Sequence, residues 1–320
     1  MPISQRAKHP KKLNSPYIWG MNKKELYLKK DRLLKGITKD GFFKISVVKT
    51  TDVVKQAQEN HGLSLLNTVL LGRTLTGVLL LASELKGEER IRIQLEGNGP
   101  VGTIIAEANA IGESRGYVLN PEAELDYTLT QNIGDGLGLG VLTFSKTLYN
   151  EARPTTGTVE LMSGNISDDI AYYLYQSEQI ASAVSLDVGI DEKGEVTHAG
   201  GILIQALPGA PENGVAELEE NLKALMPLSS QFLDDNYIDD ILHKVSGSKE
   251  VKEVGRVPVH FFCRCTKDRF TTALSMLSID DLESMMDTSQ ELVCHYCNKK
   301  YLITSNEIQG IVSQLKAKLN

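Results

Sequence analysis

Four cysteines hold the most concentrated chemistry of this 320-residue sequence: Cys263, Cys265, Cys294 and Cys297. They are its only cysteines and fall within 35 residues, as a Cys-x-Cys pair, 28 intervening residues and a Cys-x-x-Cys pair. Thiolates are soft ligands, and two short-spaced pairs on two turns suit a tetrahedral zinc ion with Zn–S distances of about 2.3 Å. One zinc ion per chain on these four residues is the expectation. Four thiolates on a dication leave a double negative charge, which Arg264, Lys267, Arg269, Lys299 and Lys300 are placed to offset. In a unit of roughly 60 residues the metal can dominate folding, since structural zinc contributes about 10–16 kcal/mol in small peptides. His260 and His295 flank the cysteines. Four thiolates already fill the coordination sphere, so supporting or solvated roles are expected for both histidines.

A static zinc ribbon is the plain alternative. Against it, the one-residue spacing of Cys263 and Cys265 is uncommon in zinc knuckles, where spacings of two to four dominate. The same spacing lets two sulfurs close a small, strained and readily reduced ring, which suits a switch better than a staple. A secreted disulfide scaffold fits poorly, because the chain is long and residues 1–20 lack the apolar run of a signal peptide.

The cysteines belong to a C-terminal unit over 261–320. It ends in a helix from about Ser305, with Thr304 and Glu307 at capping-box spacing and Ile308, Ile311, Val312, Leu315 and Leu319 on one face. Before it, residues 229–260 read as a helical linker. Asp234, Asp235, Asp239 and Asp240 alternate there with Lys244, Lys249, Lys252 and Arg256. Only Ile238, Ile241, Leu242 and Val245 form an apolar stripe, so a helix spread over 233–256 needs a neighbour to be stable.

Residues 31–228 read as a core domain. Strands are expected at 42–48, 91–95, 101–107, 115–119, 140–145, 157–163, 181–190 and 201–206. Helices are expected from Thr51 or Asp52 to about Glu59, over about 64–85, from Ser167 to about Gln176, and over 214–226. This irregular order indicates an α+β fold rather than a doubly wound sheet. The architecture is an N-terminal α/β core domain, a helical metastable linker and a small zinc-binding domain.

Other features point away from catalysis. Gly134, Gly136, Gly138 and Gly140 lead into a strand, not into a helix with Lys-Ser/Thr, so a flexible hairpin replaces the phosphate-loop reading. Tyr172, Tyr173 and Tyr175 suit packing on a helix, and Glu178 a surface or capping role. No catalytic residues are assigned.

The window 64–83 is the most apolar, but Arg73 at its centre argues for a buried helix in a soluble core, not a membrane span. The net charge is −7, and residues 1–30 hold eight Lys or Arg against one acid, Glu25. The rest is strongly acidic, which disfavours broad nucleic-acid binding. Residues 1–30 are expected to be a disordered basic extension. Such a leader also fits an organelle transit peptide, against a cytoplasmic default.

The sequence resembles the heat shock protein 33 family of redox-regulated holdases. The resemblance spans about residues 30–320. It rests on DRLLKGIT (31–38), VVKTTDVV (47–54), LGRTLTGVLLLAS (71–83), GNGPVGTIIAEA (97–108), RGYV (115–118), YYLYQSEQIASAV (172–184), FFCRCTKDRF (261–270) and CHYCNKKY (294–301). Thr266 stands where the family usually has Ser, and Asp268 where it has Glu. The resemblance implies an ATP-independent chaperone with one zinc on the four cysteines in its inactive, reduced state. It implies that oxidation pairs Cys263 with Cys265 and Cys294 with Cys297, releases zinc, and unfolds tail and linker. Unfolding client proteins then bind, and the oxidised chain forms a homodimer.

Two other classes stay open. One is a nucleic-acid-binding zinc ribbon, which salt-dependent DNA or RNA binding would mark. The other is a thiol-disulfide oxidoreductase using Cys294 and Cys297, which insulin-reduction turnover would mark.

Overall fold

A computed structural model describes residues 30–151, 153–233 and 237–319. The basic extension expected over 1–30, apart from Lys30, lies outside the described residues, as do Asp234 and Asp235.

The core is built around one helix. Helix α1 covers Thr51–His61 and α2 covers Leu65–Ala82. Ser64 starts α2 by accepting the Asn67 N–H at 3.2 Å. Nearly every residue of α2 is buried, so its faces show no polar stripe. Thr74 and Thr76 donate to the carbonyls of Leu70 and Gly72 at 2.8 Å, whereas the buried Thr68 hydroxyl has no hydrogen-bond partner among the described residues. Gly72 admits its neighbours closely, since a Cβ there would stand 2.8 Å from Val54 and 2.9 Å from Val188. The helix is long and apolar enough to cross a membrane, yet it is buried among protein side chains. Arg73 faces Asp187 at 4.0 Å. Burial pushes the Arg73 pKa down, and Asp187 and Asp168 partly offset this.

Two sheets enclose α2. The first joins β1 (Arg32–Thr38), β2 (Phe43–Lys49), β8 (Ser182–Ile190), β9 (Val196–Ala206) and β10 (Val251–Pro258), in the order β10-β1-β2-β9-β8. The second joins β3 (Arg90–Gly97), β4 (Thr103–Asn109), β5 (Glu113–Val118), β6 (Gly140–Thr147), β7 (Thr155–Glu160) and β11 (His260–Phe261), in the order β11-β5-β4-β3-β6-β7. All pairings are antiparallel except β11 with β5. Helix α3 (Ile166–Glu178) joins the layer between the sheets, where Tyr173 stacks on Phe144 with centroids 3.8 Å apart. Tyr175 is exposed, and Glu178 pairs with Lys146.

The outer face of the first sheet is covered by α4 (Gly214–Ala224), α5 (Leu228–Leu233) and α6 (Ile238–Ser246). Strand alternation divides β2 between two cores: Val48 faces α2, while Phe43, Ile45 and Val47 face the outer helices. Ile238, Ile241, Leu242 and Val245 of α6 complete that outer core.

Four differences from expectation have physical causes. Strand β1 is buried on both faces at Leu33 and Leu34, so it lacks the period of a half-buried strand. The helix expected over 233–256 occupies only Ile238–Ser246; Gly247 turns the chain at φ +59°, and the charged remainder becomes edge strand β10. Helix α1 begins one residue after Thr50, and the Thr51 hydroxyl accepts the Ala199 N–H at 3.1 Å instead of capping. The glycine run is a tight joint rather than a flexible hairpin. A Cβ on Gly97 would lie 2.0 Å from the Leu137 carbonyl, and one on Gly140 would lie 2.0 Å from that of Glu96.

The cysteine-bearing tail holds α7 (Lys267–Leu274), α8 (Ile279–Ser284), the hairpin β12 (Gln290–Val293) and β13 (Lys300–Ile303), and α9 (Ser305–Leu319). Its own core is small: Leu274, Leu282, Ile303, Ile308, Ile311 and Val312. The expected capping box is present, with Glu307 accepting the Thr304 N–H at 2.8 Å and Thr304 accepting the Glu307 N–H at 3.4 Å.

Asp31 opens β1 in a buried site. One carboxyl oxygen accepts the Val53 N–H at 2.9 Å and the other has no hydrogen-bond partner among the described residues. Burial pushes its pKa up to about 7. The unfolded carboxyl titrates near 4, so the folded state favours its protonated form. That contribution to stability is complete below about pH 4 and is lost as the pH rises to about 7. Asp31→Asn keeps an acceptor for Val53 and removes the charge. Its melting temperature relative to the parent chain should therefore rise steadily between pH 4 and 7.5, by several degrees at the upper end. Melts that differ by the same amount at both ends would discount a neutral Asp31.

Candidate metal centre

Two loops bring the cysteines together. Cys263 and Cys265 follow β11, and Thr266 then caps α7 by accepting the Arg269 N–H at 3.3 Å. Cys294 and Cys297 lie on the turn between β12 and β13. There the N–H groups of Cys297 and Asn298 reach the Cys294 carbonyl at 3.3 and 2.7 Å, and the Cys294 N–H reaches the Lys299 carbonyl at 3.0 Å. Asn298 takes the left-handed conformation this turn needs, at φ +56°.

The four sulfurs all lie within 4.8 Å of one another. The contacts between pairs are 3.7 Å for Cys263 with Cys294 and 3.4 Å for Cys265 with Cys297. Zinc at about 2.3 Å from four tetrahedral sulfurs sets S···S edges of about 3.8 Å, so the cluster fits one such ion. Cys294 is buried and the other three are half-buried. Burial pushes the Cys297 thiol up, and burial together with the charge of Cys263 does the same to Cys294. Burial also opposes ionisation of Cys265, but hydrogen bonding to Tyr301 and the neighbouring sulfurs brings it below its usual range. Such a cluster ionises fully only around a cation, so the four side chains can hold a metal ion.

The surroundings differ from expectation. Arg264 is engaged by Glu113 at 2.6 Å, Lys267 by Glu307 at 2.7 Å and Lys300 by Glu291 at 2.9 Å. Lys299 lies over the Tyr301 ring, 5.4 Å from its centroid, and Arg269 lines a cleft with Arg264. Arg264, Lys267 and Lys300 are thus paired with carboxylates. Among the described residues, the cation that reaches a sulfur is Arg115 of β5, with Nη1 3.7 Å from Cys263 Sγ. Its Nη2 lies 2.9 Å from Glu107 Oε1, and its guanidinium sits 4.1 Å over the Tyr296 ring. Burial works to lower the Arg115 pKa, but Glu107 and Cys263 outweigh it and hold the pKa above its usual range. Tyr301 donates to the Cys265 carbonyl at 2.9 Å, with its oxygen 3.2 Å from Cys265 Sγ.

His260 and His295 stand outside the cluster. His260 packs near Phe262 and His295 near Tyr117, with centroids 5.9 and 5.8 Å apart. The site rests against the second sheet. Phe262 N–H reaches the Ser114 carbonyl at 2.8 Å, Asn298 Nδ2 the Asn60 carbonyl at 2.8 Å, and His61 Nε2 the Tyr296 carbonyl at 3.2 Å. Sequence reasoning missed Arg115, Glu107, His61, Tyr296 and Tyr301 as neighbours of the sulfurs. Glu107 and Arg115 face each other across β4 and β5, a register no local pattern reveals.

The family model described as Hsp33 protein matches residues 31–304. The 33 kDa chaperonin of Desulforamulus reducens is 38% identical over 292 residues, covering 90% of this chain and 99% of the relative. The protein of the same name from Bacillus subtilis is 36% identical over 293 residues, covering 89% and 99%. The solved structure of a 33 kDa chaperonin, a heat shock protein 33 homologue from Thermotoga maritima, superposes with a TM-score of 0.81 at 32% identity, covering 90% of this chain and 99% of that one.

Replacing both Cys263 and Cys265 by Ser should leave a reduced chain that binds less than one equivalent of metal, measured by atomic absorption after dialysis. Tyr301→Phe, which frees the Cys265 carbonyl, should weaken metal affinity by about tenfold. Full retention of metal by the double variant would remove these cysteines from the ligand set.

Proposed function

The chain belongs to the Hsp33 family, and on that premise we propose that it is a redox-switched, ATP-independent holdase chaperone of the cytoplasm. The observation that carries this reading is the four-sulfur cluster, set in a tail too poor in apolar packing to be held by hydrocarbon alone. When bound, zinc would hold the sulfurs as thiolates and tie the two cysteine turns together.

Each disulfide forms when two thiolates give up two electrons to an oxidant such as hydrogen peroxide, which takes two protons from solvent and leaves as two waters. The proposed pairs are Cys263 with Cys265 and Cys294 with Cys297. A disulfide sulfur is a poor ligand, so oxidation removes the cross-link between the two turns. The tail then has only its small core to resist unfolding.

The linker, residues 229–260, supplies the second half of the reading. Its helix α6 buries Ile238, Ile241, Leu242 and Val245 against Phe43, Ile45, Val47, Ile202 and Ile204 of the first sheet. Its strand β10 closes the edge of β1. Arg256 ties the two elements through Asp239 at 2.5 Å and Glu253 at 2.9 Å. A linker that leaves with the tail bares an apolar sheet face and a free strand edge together. Both suit unfolding client proteins, whose exposed segments are apolar and extended. The bared surface also suits pairing of two oxidised chains into a homodimer.

The alternatives have less support. Cys294 and Cys297 lie on a hairpin turn and not at the helix start that activates a thiol-disulfide oxidoreductase. The acidic body disfavours a nucleic-acid ribbon.

Oxidation by peroxide with mild heat, or by hypochlorous acid, should release zinc and switch on suppression of aggregation of a heat-denatured client, both followed in one sample. Equal suppression by reduced and oxidised protein would discard the switch. Ile241→Ala removes a buried contact and should cost about 2–5 kcal/mol. The variant should keep its zinc when reduced but need less heat for activation, read from client light scattering over a temperature series.

A further inference from the structure

We propose that Arg115 is the positioning residue through which the core sheet reads the charge of the sulfur cluster, holding the tail while its sulfurs are thiolates and releasing it when they are disulfides. The proposal rests on the redox reading of the cysteines and adds a route by which their state reaches the core.

The guanidinium bridges two bodies of unequal constancy. One arm meets Glu107, which faces Arg115 across β4 and β5 and belongs to the core sheet. The other meets Cys263 of the tail. The Tyr296 ring beneath fixes the plane of the fork, and its hydroxyl approaches Glu107 Oε2 at 3.5 Å. The side chains of Arg115 and Glu107 are only 21% and 16% exposed, so solvent and salt screen this contact weakly.

A thiolate accepts a charge-assisted hydrogen bond, while a disulfide sulfur is neutral and a weak acceptor. Oxidation therefore leaves Arg115 with Glu107 and the Tyr296 ring and deprives it of its hydrogen-bonding partner in the tail. The other contacts across this seam do not sense sulfur chemistry. The β11–β5 pairing, the Asn298–Asn60 and His61–Tyr296 bonds, and the Arg264–Glu113 pair all involve backbone or carboxylate acceptors. Among the described residues, Arg115 makes the seam contact whose strength depends on the sulfur. Such coupling is reciprocal: a contact that favours docking of the thiolate state favours retention of metal by the same factor.

The test uses the full reduced chain with Arg115→Gln, Arg115→Lys and Glu113→Gln. Two quantities are measured: zinc affinity, by competition with a chromogenic chelator, and amide hydrogen exchange over 113–118 and 260–262. In Arg115→Gln, zinc affinity should fall about tenfold or more. Exchange across the seam should quicken by a similar factor. Arg115→Lys keeps the charge without the fork and should fall between, and it carries the test should the Gln variant fail to fold. Glu113→Gln cuts an ion pair that touches no sulfur and should leave zinc affinity unchanged. Unchanged zinc affinity or unchanged exchange in the Arg115 variants overturns the proposal, as does an equal loss of affinity in Glu113→Gln. A parent chain that binds no zinc, or keeps it on oxidation, instead sinks the switch itself.

Discussion

Four sulfurs within 4.8 Å of one another cannot all carry charge unless a cation sits among them. Burial sharpens this constraint by pushing the thiols of Cys294 and Cys297 up. The cluster thus has few stable conditions: metal-bound, protonated, or oxidised in pairs. In the first, one ion ties the turn after β11 to the turn between β12 and β13. Among the described residues, the tail's own core has six buried apolar side chains with five half-buried ones packed on it.

The tail is not an isolated bead. The chain runs from α6 into β10 at the edge of one sheet, and then into β11 at the edge of the other. Between them lies buried Val259, whose N–H reaches the Asp31 carbonyl at 3.2 Å. Cys263 follows two residues after β11. The sulfurs therefore lie within a few residues of an edge of each sheet, and β10 leads back to the helix that covers the outer core. Each of these edge strands is held by one neighbour. The centre of the molecule answers to different physics, with α2 packed on nearly all sides between the sheets.

Most of the core was legible because its signals are local. Alternation exposed β3, and continuous apolarity exposed α2. Where the signal is not local, reading stopped. Strand β1 hides because both of its faces are buried, and β10 hides because its charged residues satisfy themselves at an edge. The glycine run reads as slack, although its lack of side chains serves close backbone contact with Gly97 and Gly99.

The capacity of the four cysteines to hold a metal ion was legible in the sequence alone. Four soft ligands in two short-spaced pairs have few other uses, and each pair is placed by its own turn, which depends on neighbouring residues. What only the tertiary structure decided is what faces those sulfurs. The cations nearest in sequence turn to Glu113, Glu307 and Glu291, while Arg115 arrives from 148 positions away. That meeting depends on the register of β4 with β5 and on β11 pairing parallel beside them. Strand register is a property of the assembled sheet, and no stretch of sequence carries it before the sheet exists.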